Sequence, residues 1–354
     1  MGSPQALQTE PARLSSTNFL TVDELKSAWL DARPVVFGDP ALARASFPLS
    51  MTFYPLGFPV EVSTNRAEVL DAAHECWGSY SQLFNTPPAR IEIGVTDTES
   101  LECPPTPVCR MRERLAINIA DGENFAICDC ALRHALVWVT TAALRHGDYF
   151  RYFFVDSVGV TLVSADFSTG IHAGCVALDG AGILLCGGTG AGKSTLSWGC
   201  ARNGWTYITD DGSYLVHGSS SRLVVGNSSQ VRFRPSAANL FPELRGCAVM
   251  QRAGIGTPSM EWATRGDPGT KTSATANIRH IVFLNRNTRR RELAAFPTAV
   301  ARLYMLQQIQ SSPGPAERHI AAVDSLLEVG SHELFYDELD WAVERLAQLV
   351  REGR

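Results

Sequence analysis

One octapeptide constrains this chain more than any other stretch. Gly187-Gly188-Thr189-Gly190-Ala191-Gly192-Lys193-Ser194 fits the pattern G-x-x-x-x-G-K-[ST] throughout. Its glycines let the backbone turn tightly enough to aim successive N–H groups at phosphate oxygens; Lys193 adds a point charge, and the Ser194 hydroxyl is a ligand for Mg²⁺. The pattern requires a strand before it and a helix after it. Ile183-Leu184-Leu185-Cys186 reads as a buried strand, and residues 194–203 read as a helix stopped by Gly204, with Thr195 in its first turn. A phosphate then sits at a helix N-terminus, where unpaired N–H groups and the helix dipole favour an anion. The implied ligands are ATP or another nucleoside triphosphate, with Mg²⁺.

The loop also constrains topology. Asp179-Gly180 separates the apolar run 171–178 from the strand that feeds the loop, and Asp-Gly between two apolar runs is a hairpin signal. The loop strand should therefore pair antiparallel with its predecessor, whereas doubly wound nucleotide-binding folds begin from a parallel βαβ unit. The expected fold class is α/β: a phosphate-loop core of mixed, largely antiparallel sheet with flanking helices over residues 151–354. A smaller N-terminal α+β domain over 19–150 and a flexible polar leader over 1–18 precede it.

Further elements follow from periodicity and turn residues. Helices are expected at 21–30, 66–77, 131–146, 299–309 and 337–351. Strands are expected within 51–62 and at 89–95, 115–120, 124–130, 152–154, 158–163, 205–209, 214–217, 223–225 and 278–284.

With 354 residues, 45% of them hydrophobic, the chain can bury a substantial core. A formal charge of -5 and a pI near 5.9 give no global basic field, which argues against a nucleic-acid partner. The nine cysteines include no C-x-x-C pair, and Cys128-Asp129-Cys130 lies in a strand-like run that favours packing over metal binding. Neither a signal peptide nor an apolar run of membrane-spanning length is evident, so a cytoplasmic protein without a membrane partner is expected.

Asp210-Asp211 closes the strand 205–209. At that position one carboxylate can hold the metal while the other accepts a proton from an incoming hydroxyl. His172, alone in an apolar strand, would read as a packed histidine. It stands fifteen residues before Gly187, however, and the two aspartates stand seventeen and eighteen residues after Lys193.

That ordered set resembles the catalytic domain of bacterial HPr kinase/phosphorylase, a relative of phosphoenolpyruvate carboxykinase, over roughly residues 155–290. The resemblance implies that Lys193 and the loop amides hold the β and γ phosphates, that Ser194 and Asp211 bind Mg²⁺, that Asp210 is the base, and that His172 tunes or contacts the transferred group. A downstream signature of the sense Leu-Glu-Ile-Arg-Gly is missing; Ser229 to Leu240 stands in its place, which speaks against HPr itself as acceptor. The whole chain looks like a divergent HPr-kinase-like family, on Phe53-Tyr54-Pro55-Leu56-Gly57-Phe58, His172-Ala173, Gly-Ala-Gly-Lys-Ser-Thr and Gly-Trp-Thr-Tyr before Asp-Asp. Some of its members phosphorylate a serine at the end of a lasso-peptide precursor. A serine kinase acting on a peptide or small protein is the implied function, with a small-molecule hydroxyl kinase or a non-transferring ATP-binding module as alternatives; homo-oligomerisation stays open.

Phosphoryl transfer needs cationic charge beyond Mg²⁺ and Lys193. Arg232 and Arg234, alternating on one strand, are candidate clamps, and Lys271 is a lid candidate. The basic run 286–291 reads as a solvated turn.

Overall fold

The computed structural model describes residues 21–31, 46–219, 222–251, 257–286, 289–309 and 312–353. The expected leader, 1–18, lies outside them. The chain divides into two units, residues 1–46 and 47–354. In the first, α1 (Val22–Leu30) forms where its apolar spacing predicts it.

The second unit begins with a mixed sheet. Its elements are β1 (Leu49–Phe53), β2 (Val60–Thr64), α2 (Ala67–Trp77), β3 (Ala89–Thr96), β4 (Val108–Arg112), β5 (Leu115–Ile119), β6 (Phe125–Asp129) and β7 (His134–Thr140). Seven strands run in the order β1-β2-β3-β7-β6-β5-β4, which leaves β4 at an edge. Helix α2 buries Val69, Ala72 and Ala73 of the face its spacing marks, with Trp77, against one side, while Cys76 of that face is half-buried.

Two expectations fail here for physical reasons. The helix expected over 131–146 is the strand β7 followed by a short α3 (Thr141–Arg145). Ala135, Val137 and Val139 are buried at strand spacing, while Leu132, which completed the helical pattern, lies exposed in the turn. The strands expected at 152–154 and 158–163 are helical instead. There α4 (Gly147–Phe150), a π-helical turn over Arg151–Asp156 and α5 (Ser157–Phe167) run on from one another. This segment packs against β3, β6 and β7 of the first sheet and the first strand of the second, so no polar stripe marks its period. Trp77 lies across Gly159, where a Cβ would come within 2.4 Å of its ring, and its indole N–H donates to Asp156 at 3.0 Å.

The second sheet comprises β8 (Ser168–Leu178), β9 (Ala181–Cys186), α6 (Lys193–Arg202), β10 (Thr206–Thr209), β11 (Gly212–Val216), β12 (Leu223–Gly226), β13 (Gln230–Phe233), β14 (Met260–Ala263), β15 (Lys271–Thr272), β16 (Thr275–Asn285), β17 (Glu292–Ala295), α7 (Thr298–Ile309), α8 (Ala316–Leu327), β18 (His332–Phe335) and α9 (Leu339–Glu352), of which β13 and β14 form a separate two-stranded ribbon. The sheet has nine strands and is mixed. Asp179 and Gly180 turn at φ 51° and 81°, the left-handed pair a two-residue hairpin needs, and β8 pairs antiparallel with β9 from Leu178↔Ala181 to Ala173↔Cys186. Helices α7 and α8 cover one face and α6 and α9 the other. The β13–β14 ribbon packs on the flank of α6 through Val231, Phe233 and Met260. Among the described residues no helix is long and apolar enough to cross a membrane.

Candidate active site

The octapeptide joins β9 to α6 as strand, loop and helix. Its glycines take up the strain of the turn: φ is 86° at Gly190 and 101° at Gly192, conformations that cost an L side chain free energy. Leu196 N–H closes back on the carbonyl of Gly192, so the N–H groups ahead of it point out of the helix end. Lys193 is buried, with Nζ 2.8 Å from the Gly187 carbonyl oxygen, and burial lowers its pKa. A lysine ammonium beside unpaired N–H groups at a helix end is a setting that favours an anion.

The hairpin register explains the spacing of His172. Because Ala173 faces Cys186, the next step along both strands sets His172 beside Gly187. Across β8, two strands pair with different stretches: β10 with residues 175–177 and β11 with residues 168–172. Asp210 and Asp211 occupy the break between them. Gly174 lies opposite that break; a Cβ there would stand 2.6 Å from Ser197 Oγ and 3.4 Å from the Asp210 carbonyl oxygen.

The two carboxylates differ sharply. Asp210 is 6% exposed. Tyr207 donates its hydroxyl to Oδ1 at 3.0 Å, and the backbone N–H of Arg232 donates to Oδ2 at 3.3 Å. Burial pushes its pKa up to about 6, while the Ser194 hydroxyl that faces it favours the charged form. The Asp211 side chain is 63% exposed, and its Oδ1 lies 3.0 Å from Nδ1 of His172. That hydrogen bond holds Asp211 below the usual carboxylate range. A carboxylate only accepts, so Nδ1 carries the proton and Nε2 of a neutral His172 keeps its lone pair free. Sequence reasoning grouped Ser194 with Asp211; the fold groups Ser194 with Asp210 and His172 with Asp211.

The arginines separate in the same way. Arg234 lies just past β13 in extended backbone, with its guanidinium 3.7 Å from where a Cβ on Gly190 would stand, and among the described residues it has no carboxylate partner. Arg232 is engaged elsewhere, 3.1 Å from Glu261 and 2.9 Å from Ser259, so its guanidinium does not serve the loop. Lys271 pairs beside Thr206, at the end of β10 remote from Asp210, and is no lid over the loop. Within the basic run, Arg290 and Arg291 bind Glu292 and Asp337, but Arg286 lies against Gly192 and over the Tyr336 ring.

Sequence reasoning missed Arg286, although its place just after β16, the parallel neighbour of β9, is where open α/β sheets put ligand contacts. It also missed Tyr304 and Gln308, one helical turn apart on α7. Tyr304 accepts from the Gly187 N–H at 3.2 Å and Gln308 from the His172 N–H at 2.8 Å.

Among the described residues no group of three or more His, Cys, Asp or Glu side chains gathers to hold a metal. A hydroxyl beside one buried carboxylate fits Mg²⁺, which keeps several waters and shares its shell with substrate phosphates. Cys128 in β6 of the first sheet and Cys130 just after it lie away from this loop, and burial raises them to about 12 and about 11.

The fold is a mixed α/β architecture with a glycine-rich loop between strand and helix. No family model matches the chain, and no curated protein matches it. Among solved structures it is similar to the Hpr(Ser) kinase/phosphatase from Coxiella burnetii at 11% identity, over 52% of this chain and 99% of that one, with a TM-score of 0.28. A score that low does not equate the folds, and the functional reading rests on the geometry of this chain.

Proposed function

We propose that this chain is an ATP- and Mg²⁺-dependent kinase that transfers the γ-phosphoryl group to a hydroxyl, a serine of a peptide or small protein. The observation that carries the reading is the solvent-facing His172–Asp211 pair at the mouth of a glycine-rich loop that also holds Lys193. A module that only binds nucleotide has no use for a proton acceptor held there.

In this reading Lys193 and the loop N–H groups hold the β and γ phosphates. Ser194 and Asp210 are the residues that would hold Mg²⁺, which supplies charge neutralisation between the two phosphates. Asp210 suits this role better than that of base, since donors already occupy both its oxygens and it is closed to solvent. Asp211 fixes the His172 tautomer and leaves Nε2 facing the acceptor. The acceptor oxygen bonds to the γ-phosphorus as the bond from phosphorus to the bridging oxygen breaks; ADP keeps that electron pair and Nε2 of His172 takes the proton. Arg234 and Arg286 add positive charge where the transferred oxygens gather it.

Radiolabelled transfer and nucleotide binding in two variants test the division of roles. Asp211→Asn should lower transfer by about 10²-fold or more while leaving Mg·ATP affinity unchanged. Asp210→Asn should weaken Mg·ATP binding itself. The reverse pattern would return the base to Asp210, and absence of nucleotide binding in the native chain would end the kinase reading.

A further inference from the structure

Two cavities meet beside this site. The smaller, about 280 Å³, is lined by Gln230 and Arg232 of β13 together with Tyr152 and Asp156 of the π-helical turn. The larger, about 750 Å³, is lined by the same Tyr152 and Asp156, by Tyr214 of β11, and by Cys109 and Met111 of β4. Tyr152 and Asp156 line both, so the two cavities adjoin, and together they are treated as one groove. Its inner end borders the strand that follows Asp211: the Tyr214 ring stands 3.3 Å from where a Cβ on Gly212 would be, and Arg232, whose N–H bonds the buried Asp210, lines the smaller cavity. Its outer end opens on β4, which among the described residues pairs only with β5 and whose five residues are all exposed.

An unpaired strand edge beside an apolar cavity is the setting in which an extended peptide adds a strand: backbone bonds supply affinity, and alternate side chains enter the pocket. Side chains alternate along β4, so Cys109 and Met111 share the cavity face with their β5 partners Asn118 and Ala116, while Arg110 and Arg112 leave on the other face; Arg110 also borders the cavity. Among the described residues neither arginine has a carboxylate partner. A second copy of this chain pairing antiparallel through β4 would set arginine against arginine, which is unfavourable across strands. An acidic side chain on an added peptide strand would instead meet them.

We propose that the acceptor is an extended peptide segment seated along the β4 edge, with apolar side chains entering the cavity at Met111 and Phe153, acidic side chains alternating with them toward Arg110 and Arg112, and its serine at the inner end of the groove. The proposal rests on the kinase reading above.

The test offers the full chain, with Mg²⁺ and labelled ATP, two pools of serine-containing nonapeptides, one alternating acidic with apolar residues and one basic with apolar, and free L-serine. The expected result is at least tenfold higher kcat/KM on the acidic–apolar pool than on the basic one, and negligible transfer to free serine. Arg110→Glu with Arg112→Glu should reverse the preference. Cys109→Trp, which fills the cavity from an exposed position, should raise the peptide KM about tenfold and leave binding of a fluorescent ATP analogue unchanged; Met111→Glu is a second route to the same block. Equal use of both pools, unchanged kinetics in folded charge-reversed and cavity variants, or free serine used as well as peptide would overturn the proposal. No transfer to either pool by a chain that binds the analogue would also overturn it, leaving nucleotide binding intact, whereas failure to bind the analogue would bring down the kinase reading itself.

Discussion

Gly174→Ala tests whether the break between β10 and β11 is built as described. Gly174 lies in β8 opposite Thr209 and Asp210. An added Cβ would stand 2.6 Å from Ser197 Oγ, 3.4 Å from the Asp210 carbonyl oxygen and 3.5 Å from that of Thr209. The last two are ordinary contacts; only the first forces a shift. Ser197 is fully buried in α6 and its hydroxyl has no hydrogen-bond partner. Relief must therefore come from turning Oγ into other packed atoms or from moving α6 and its loop. Overpacking of this kind costs about 1–3 kcal/mol.

Ser197→Ala removes the clashing atom and an unsatisfied buried hydroxyl together, so alone it should be neutral or stabilising by up to about 1 kcal/mol. In the double variant the cost of Gly174→Ala should fall to near zero, a coupling energy of about 1–3 kcal/mol. Urea denaturation of the four proteins measures it. Additive effects within about 0.3 kcal/mol would refute the contact, and with it the claim that Gly174 exists to let α6 approach the aspartate pair. Transfer activity should track the same cycle: depressed in Gly174→Ala and restored in the double variant.

Four other outcomes follow from the site. Under the proposed function Mg·ATP should raise the melting temperature of the native chain in scanning fluorimetry, and Lys193→Ala should abolish that rise. Arg234→Ala should lower kcat by about 10- to 10³-fold with little change in melting temperature, because this guanidinium is exposed beside Gly190 and among the described residues has no carboxylate partner to hold the fold. Gln308→Ala should lower kcat with little effect on ATP affinity, since Gln308 holds the His172 backbone rather than the nucleotide, and Gln308→Glu, which keeps an acceptor there, should recover part of the loss. For pH, burial raises the folded pKa of Asp210 to about 6, above the value of about 4 of an exposed aspartate. A raised pKa contributes stability that is fully present below about pH 4 and is lost as pH rises through 6, so with EDTA and no nucleotide the stability of Asp210→Asn relative to the native chain should climb by about 2 kcal/mol between pH 4.5 and 7.5. A flat difference in urea melts would mean that Asp210 titrates normally.

What was legible in the sequence was local. The loop, its strand and helix, and the Asp179-Gly180 turn each depend on a few consecutive residues, and a tight hairpin turns spacing into position: with the turn at 179–180, residue 172 must lie beside 187. The strands expected at 152–154 and 158–163 fail because a helix buried on nearly all sides has no polar face, so its apolar run matches a strand as well as a helix. Residues 131–140 were misread for the opposite reason, since a strand with apolar residues on both faces fills helical positions by chance. Arg286, Tyr304 and Gln308 reach the loop from elements more than a hundred residues away or across the sheet, and no spacing along the chain reports such contacts.

The aspartate pair shows where a local reading stops. Two adjacent acids at a strand end were taken to serve one site together, with the metal role on Asp211 and the proton on Asp210. Along extended backbone, however, neighbouring side chains leave on opposite sides. Here that alternation coincides with the break in pairing opposite β8, sending Asp210 inward to Tyr207 and Ser194 and Asp211 outward to His172. Environment then separates their chemistry: the buried acid, closed to solvent and ringed by donors, suits a fixed cation better than a moving proton, and the exposed one holds the imidazole in the tautomer that can accept a proton. The two acids are the same residue type in the same motif and differ in burial, which is why the contrast between Asp210→Asn and Asp211→Asn decides more about this site than either variant alone.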